Sequence, residues 1–139
     1  MDYLIRKLTN NDYDEYLNLI NQFRKTNFTK DEFIIILNKI NLYSEIWVIE
    51  NNNKLIGTGT IIYEYKFIHN LSIYAHIEDI CINDEMRNKG YGKILINHLI
   101  EKAKEKDCKK VNLVCENNIT PFYEKCGFEK KGYFMTYII

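Results

Sequence analysis

A chain of 139 residues is long enough for one domain with a sizeable core. With 46% apolar and 27% charged residues, it has the composition of a folded globular protein and not of a disordered one. Lys plus Arg equals Asp plus Glu at 19 each, which excludes a general electrostatic attraction to nucleic acid or to an acidic membrane. Cys81, Cys108, Cys115 and Cys126 form no Cys-x-x-Cys and stand near no His at zinc-ligand spacing. No metal is expected, and the thiols read as reduced residues of a cytoplasmic protein. The run Met1-Asp2-Tyr3-Leu4-Ile5-Arg6 lacks the basic and apolar regions of a leader peptide. No apolar run approaches the roughly 20 residues that span a bilayer, so no membrane partner is expected. Residues 1–139 read as a single domain without repeats or linkers.

In chain order, Tyr3 to Leu8 reads as a first strand. Thr9 to Asp12 supplies N-cap side chains. Tyr13, Tyr16, Leu17, Ile20 and Phe23 then share one helical face. Thr29-x-x-Glu32 is a capping box that opens a second helix through about Ile40. Glu45 to Glu50 and Leu55 to Tyr65 form a hairpin around Asn51-Asn52-Asn53-Lys54, since Asn tolerates left-handed backbone. Gly57 and Gly59 inside the second of these strands point to a bulge or a close backbone approach. Lys66 to Ser72 is a polar connection, and Tyr74 to Ile82 is the next strand.

Gly90 to about Lys106 is the central helix, with Ile94, Leu95, Leu99, Ile100 and Ala103 on its apolar face. Lys110 to Cys115 is a strand. Thr120 is the expected N-cap of a short helix, with Pro121 at its first position and Gly127 as its left-handed C-cap. Gly132 to Ile139 closes the chain as a last strand. The order β-α-α-β-β-β-α-β-α-β predicts an α/β fold, a mixed and mostly antiparallel sheet with helices on both faces.

The chemistry concentrates where the strand ending at Ile82 meets the central helix. Arg87-x-x-Gly90-x-Gly92 at a strand-to-helix junction lets the backbone turn tightly and leaves room for a ligand to come close. Successive N–H groups then face outward at the positive end of a helix, with Arg87 and Lys89 alongside, which makes a pyrophosphate cradle. The loop differs from a dinucleotide fingerprint and lacks the Gly-Lys-Ser/Thr of a P-loop.

The order of strand, Arg-x-x-Gly-x-Gly, helix, strand, Asn-rich turn and Phe122-Tyr123-x-x-x-Gly127-Phe128 resembles the GNAT superfamily of N-acetyltransferases over nearly the whole chain. Within it, Glu64 to His69, His76-Ile77-Glu78-Asp79-Ile80 and Phe122 to Phe128 are similar to the eukaryotic glucosamine-6-phosphate N-acetyltransferases. The resemblance implies that acetyl-CoA acetylates the amine of an amino-sugar phosphate by direct attack, a step toward UDP-N-acetylglucosamine. It implies that the pyrophosphate lies on the N–H groups of Asn88, Lys89, Gly90, Tyr91, Gly92 and Lys93 beside Arg87, with Asn118 as a further cofactor contact. The pantetheine arm would add as a strand to the edge of Ile80, Cys81 and Ile82, where a backbone N–H would also meet the oxyanion.

The attacking amine must be neutral, so a carboxylate or a water chain must take its proton. Glu78 and Asp79 are neighbours on one strand, so one alone is expected to face the acetyl group. Glu78 is favoured as the base, with Asp79 as a binding residue or alternative base. Tyr123 matches the tyrosine that the superfamily uses to protonate the leaving sulfur.

Two departures bear on the acceptor. The sugar-phosphate family carries an acid where this chain has Val114, and an arginine in the last strand where this chain has Ile138. A phosphate still needs positive charge, for which Arg24, Lys25, Lys66 and His69 are the available residues. Glu116 stands ready to replace the missing acid. The resemblance further implies a homodimer built through the C-terminal strand, which would otherwise be an exposed apolar edge. The alternatives are a transferase of the same fold acting on another amino sugar, a polyamine or a protein N-terminus, or a non-enzymatic acyl-CoA-binding module.

Overall fold

The computed structural model describes residues 2–139. One five-stranded sheet runs β1-β2-β3-β4-β5. Its antiparallel strands are β1 (Leu4–Lys7), β2 (Ser44–Asn51), β3 (Lys54–Tyr65) and β4 (Ile73–Ile82). β5 (Lys110–Leu113) lies parallel to β4. A parallel step needs a crossover, and the long helix between Ile82 and Lys110 supplies it.

Helices α1 (Tyr13–Asn21) and α2 (Lys30–Ile40) cover one face of the sheet. There Leu19, Phe33 and Leu37 pack against Ile46, Val48 and Cys81. A short helical turn, α3 (Ile68–Leu71), joins β3 to β4. Helices α4 (Tyr91–Glu105) and α5 (Thr120–Lys125) lie on the other face. Leu95, Ile96 and Leu99 of α4 pack there against Ile49, Ile61 and Ile77. The expected mixed sheet with helices on both faces is what the chain builds.

Local signals place the boundaries. The capping box at α2 forms as read: Glu32 N–H donates to Thr29 Oγ1 at 3.1 Å, and Thr29 N–H donates to Glu32 Oε1 at 3.0 Å. In the β2–β3 turn Asn52 and Asn53 take φ of 50° and 61°. α5 ends in a Schellman arrangement on Gly127 (φ 98°), with Phe128 N–H bonded to the Tyr123 carbonyl and Gly127 N–H to that of Glu124.

Some expectations shift. Leu19, not named on the apolar face of α1, is its deepest residue at 2% exposure. Thr120 is the first residue of α5 and not its cap; its Oγ1 donates back to the Asn117 carbonyl at 3.0 Å. The connection Lys66–Ser72 is less polar than read, with Phe67, Ile68 and Leu71 exposed and His69, Asn70 and Leu71 all at positive φ.

The closing strand expected over Gly132–Ile139 does not form. The segment has no regular secondary structure and pairs with no strand, and Tyr133, Phe134, Met135, Tyr137 and Ile138 stay exposed. An apolar run of strand-forming residues makes a strand only where an edge receives it, and within one chain this segment takes none.

Candidate functional site

β3 and β4 lose register between Thr58 and Thr60. Thr58 faces Cys81 and Thr60 faces Glu78, so β4 carries one residue more than β3 across this step. The extra residue is Asp79, whose φ of 54° is left-handed. A bulge of this kind inverts the in-and-out alternation beyond it. Before it, Ala75 and Ile77 point into the α4 core; after it, Ile80 and Ile82 pack against that same core, while Cys81 turns to the α1/α2 side. Gly59 makes this possible, because a Cβ there would stand 2.5 Å from Ile80 Cδ1 and 3.1 Å from Leu99 Cδ1.

The bulge changes the reading of the two carboxylates. Glu78 pairs with Thr60, which pairs with Ile46, a residue of the α1/α2 core. Asp79 is near enough to that side for its charge to act there. Burial and then the negative charge of Asp79 push the Tyr16 phenol of α1 up to about 12. Regular alternation would have parted Glu78 and Asp79 onto opposite faces, and the left-handed Asp79 prevents it.

The bulge also frees an edge. β5 pairs with β4 only from Tyr74 to Ile77 and ends at Leu113, short of the expected Cys115. From Glu78 to Ile82 the β4 edge that faced β5 has no strand beside it. An extended, amide-containing arm fits there as an added strand. Cys81 contributes backbone alone. Its thiol is buried, points to the Leu19 carbonyl at 3.6 Å, and is pushed up by burial.

The loop after β4 leads to the start of α4. Asn88 (φ 61°) and Gly90 (φ 89°) take left-handed backbone, and a Cβ on Gly90 would meet nothing within 4 Å. No side chain caps α4, so the first N–H groups, those of Tyr91, Gly92 and Lys93, face outward without an intrahelical partner. Arg87 is held by Asp84 (2.9 Å) and by the Ile82 carbonyl (3.4 Å). This arrangement fits a pyrophosphate. A cleft of about 340 Å³ on the α1 side of the loop is lined by Glu15 and Glu85 against Lys54 alone, a net negative charge that disfavours a pyrophosphate. Tyr91 buries its ring in the α4 core, so only its N–H faces the cradle. Gly92 has a packing duty: a Cβ there would stand 3.2 Å from Phe122 Cζ. The second glycine therefore lets α5 close on the start of α4.

That contact positions Tyr123. Its ring lies between Phe122 (5.0 Å) and Phe128 (5.9 Å). Burial first, then Cys115 and Cys126, push its phenol above the ordinary value, so it is a protonated donor at neutral pH.

Residues 6–128 match the acetyltransferase (GNAT) family. The chain belongs to the GNAT family of acetyltransferases. It is 35% identical over 133 residues to glucosamine 6-phosphate N-acetyltransferase 1 of Dictyostelium discoideum, covering 91% of this chain and 85% of that one. It is 33% identical to glucosamine 6-phosphate N-acetyltransferase of Arabidopsis thaliana, over 94% of this chain and 92% of that one. The crystal structure of glucosamine-6-phosphate N-acetyltransferase from Arabidopsis thaliana superposes with a TM-score of 0.93 at 32% identity, covering 99% of both chains.

In this GNAT chain the cations offered for an acceptor do not converge. Lys66 Nζ pairs with Glu64 (3.0 Å) and lies 4.9 Å from the Tyr74 ring, on which His69 stacks at 6.0 Å. Lys110, unnamed from sequence, stands 4.8 Å from that ring as well. Tyr74 lies four residues before Glu78, about 13 Å along a strand. Arg24 is folded over Phe23 at 4.7 Å and follows the end of α1, toward the other end of β4. Lys25 is exposed, as are Glu116 and Asn118 in the turn before α5.

Two residues not named as site residues from the sequence stand near the carboxylates. His76 shares the face of Glu78 at i−2 spacing, and its Nε2 meets Glu64 Oε1 at 2.9 Å. Tyr16 was assigned to packing alone. The alternation His76-x-Glu78 was visible; the nearness of Tyr16 to Asp79 depends on the bulge and was not. Among the described residues no group of three or more metal-ligating side chains gathers, and no helix is long and apolar enough to cross a membrane.

Proposed function

We propose that this protein transfers the acetyl group of acetyl-CoA to the amine of glucosamine 6-phosphate. The carrying observation is the free β4 edge between Glu78 and Ile82, with two carboxylates beside it, an anion cradle at its end and a half-buried phenol on α5. The likeness to relatives named for that substrate, over nearly the full length of each, supports the acceptor.

Acetyl-CoA, when bound, supplies an activated thioester. The N–H groups of residues 88–93, with Arg87, hold its pyrophosphate, and the backbone of Ile80, Cys81 and Ile82 aligns the arm. Asn118 is a further contact. Glu78 takes the proton of the attacking amine from the open α1/α2 side, and Asp79 beside it binds the acceptor or shares that work. Tyr123 donates its proton to the departing sulfur. Lys66 and His69, or Arg24 and Lys25, supply charge for the acceptor phosphate, and Glu116 contacts the sugar.

Val114 is 53% exposed beside the site, and Ile138 carries no charge. These two residues favour a second reading, the same transfer to a different amine. An acceptor panel with thiol release as readout separates the two. Equal or faster turnover of another amino sugar or a polyamine would overturn the first.

The exposed apolar segment Tyr133–Ile139 supports a homodimer in which each tail is covered by the partner. A monomer by light scattering at micromolar concentration would refute it. Four free cysteines suit a cytoplasmic protein.

A further inference from the structure

We infer that Gln22, on the α1 side of the sheet, is a positioning residue for the coenzyme A pyrophosphate. The inference rests on the acetyl-CoA part of the reading above and not on the identity of the acceptor.

Gln22 is the C-cap of α1, and its Oε1 accepts the backbone N–H of Asp84 at 2.9 Å. Asp84 opens the short 3-10 turn Asp84–Met86, where a first N–H has no partner within the turn. The residues around it are held from within the segment or by the sheet. Asn83 N–H donates to the Ile56 carbonyl at 2.8 Å, and Asn83 Oδ1 accepts the Glu85 N–H at 2.9 Å. Gln22 thus links this turn to α1, while Met86 of the same turn packs against the α4 core. Asp84 in turn holds Arg87 through its carboxylate at 2.9 Å. Leu19, one turn earlier on α1, receives the Cys81 thiol at 3.6 Å, so the same helix grips both the end of β4 and the loop beyond it.

The chain of contacts runs from the Gln22 carboxamide to the Asp84 backbone, from the Asp84 carboxylate to Arg87, and from Arg87 to the phosphates. Without Gln22 the turn loses its outer anchor, and Arg87 must be ordered when the ligand arrives. That ordering weakens binding. The pyrophosphate is remote from the acetyl group, so the loss falls on ground-state binding and not on the chemical step.

The test is Gln22→Met, which keeps the length and removes the acceptor atom. Calorimetry with coenzyme A should show a Kd about five-fold weaker, the size of one neutral hydrogen bond. The KM for acetyl-CoA should rise by a similar factor with kcat unchanged. With S-acetylpantetheine, which has no pyrophosphate, the variant should match the unsubstituted chain. An unchanged Kd, or equal losses with both donors, would overturn the inference. In the unsubstituted protein, the Asp84 amide should exchange with deuterium more slowly than an unbonded turn amide. Exchange at the unbonded rate would overturn it without any variant. Because the calorimetry needs no acceptor, absence of turnover on glucosamine 6-phosphate would leave its outcome readable.

Discussion

The left-handed Asp79 backbone and the register step opposite Gly59 break the alternation that would part Glu78 from Asp79. Each can then reach the same amine, and substitution separates them. Glu78→Gln should lower kcat by about 100-fold or more, as expected for loss of a general base, and Asp79→Asn by less. The reverse order of effects would make Asp79 the base. Tyr123→Phe should lower kcat by about 100-fold with little change in the KM for acetyl-CoA; an unchanged kcat would remove the tyrosine from the reaction. Away from the site, Arg6 grips Asp12 through both oxygens (2.8 and 2.9 Å) and also meets Glu50. Burial alone would raise the Asp12 carboxyl, but the bonds from Arg6 and Thr9 together outweigh it and hold it below the usual range. A depressed carboxyl stabilises the fold above its unfolded pKa of about 3.9 and loses that contribution as pH falls from there through the folded value. Asp12→Ala should therefore cost about 2 kcal/mol at pH 7. In thermal melts the gap between variant and unsubstituted chain should narrow as pH falls below about 4. A gap that stays constant to lower pH would deny the ion pair this role.

At the level of elements, two glycines fix how strands and helices meet. Gly59→Ala forces a Cβ against Ile80 and Leu99, and should destabilise the fold by about 1–3 kcal/mol in a urea titration. Gly92→Ala meets the Phe122 ring at 3.2 Å and should displace α5, so kcat should fall more than stability does. Local elements were legible in the sequence because their causes are local. The Thr29–Glu32 capping box and the Gly127 cap need only neighbours a few residues away. The tight backbone turn from Arg87 to Gly92, at a strand-to-helix junction, was legible for the same reason. The bulge was legible from the β3 side alone. Gly57 and Gly59 pointed to a bulge or a close approach, and the register step falls at Gly59, but Asp79 becomes the extra residue only through pairing with a strand some twenty positions earlier. The duty of Gly92 toward Phe122 and the link from Gln22 to Asp84 are likewise long-range contacts that no spacing encodes.

For the whole molecule, the sheet and its two cores stop short of the C-terminus, and the last residues stay uncovered with Tyr133 at 99% exposure. The apolar run that reads as a strand was legible, whereas the edge that would receive it was not. If the tail is the dimer contact, a chain truncated after Gly132 should run as a monomer in light scattering while keeping the far-ultraviolet circular dichroism of its fold. An unchanged dimer would place the interface elsewhere. The assembled site couples an anion cradle, a free strand edge and paired carboxylates, and the account stands on what amine they serve. The direct measurement is thiol release from acetyl-CoA with glucosamine 6-phosphate, set against glucosamine without the phosphate. The account predicts saturable turnover with kcat/KM about 100-fold higher for the phosphorylated sugar, through charge-assisted contacts to the phosphate. A rate no faster than acetyl-CoA hydrolysis, or no preference for the phosphate, would contradict it.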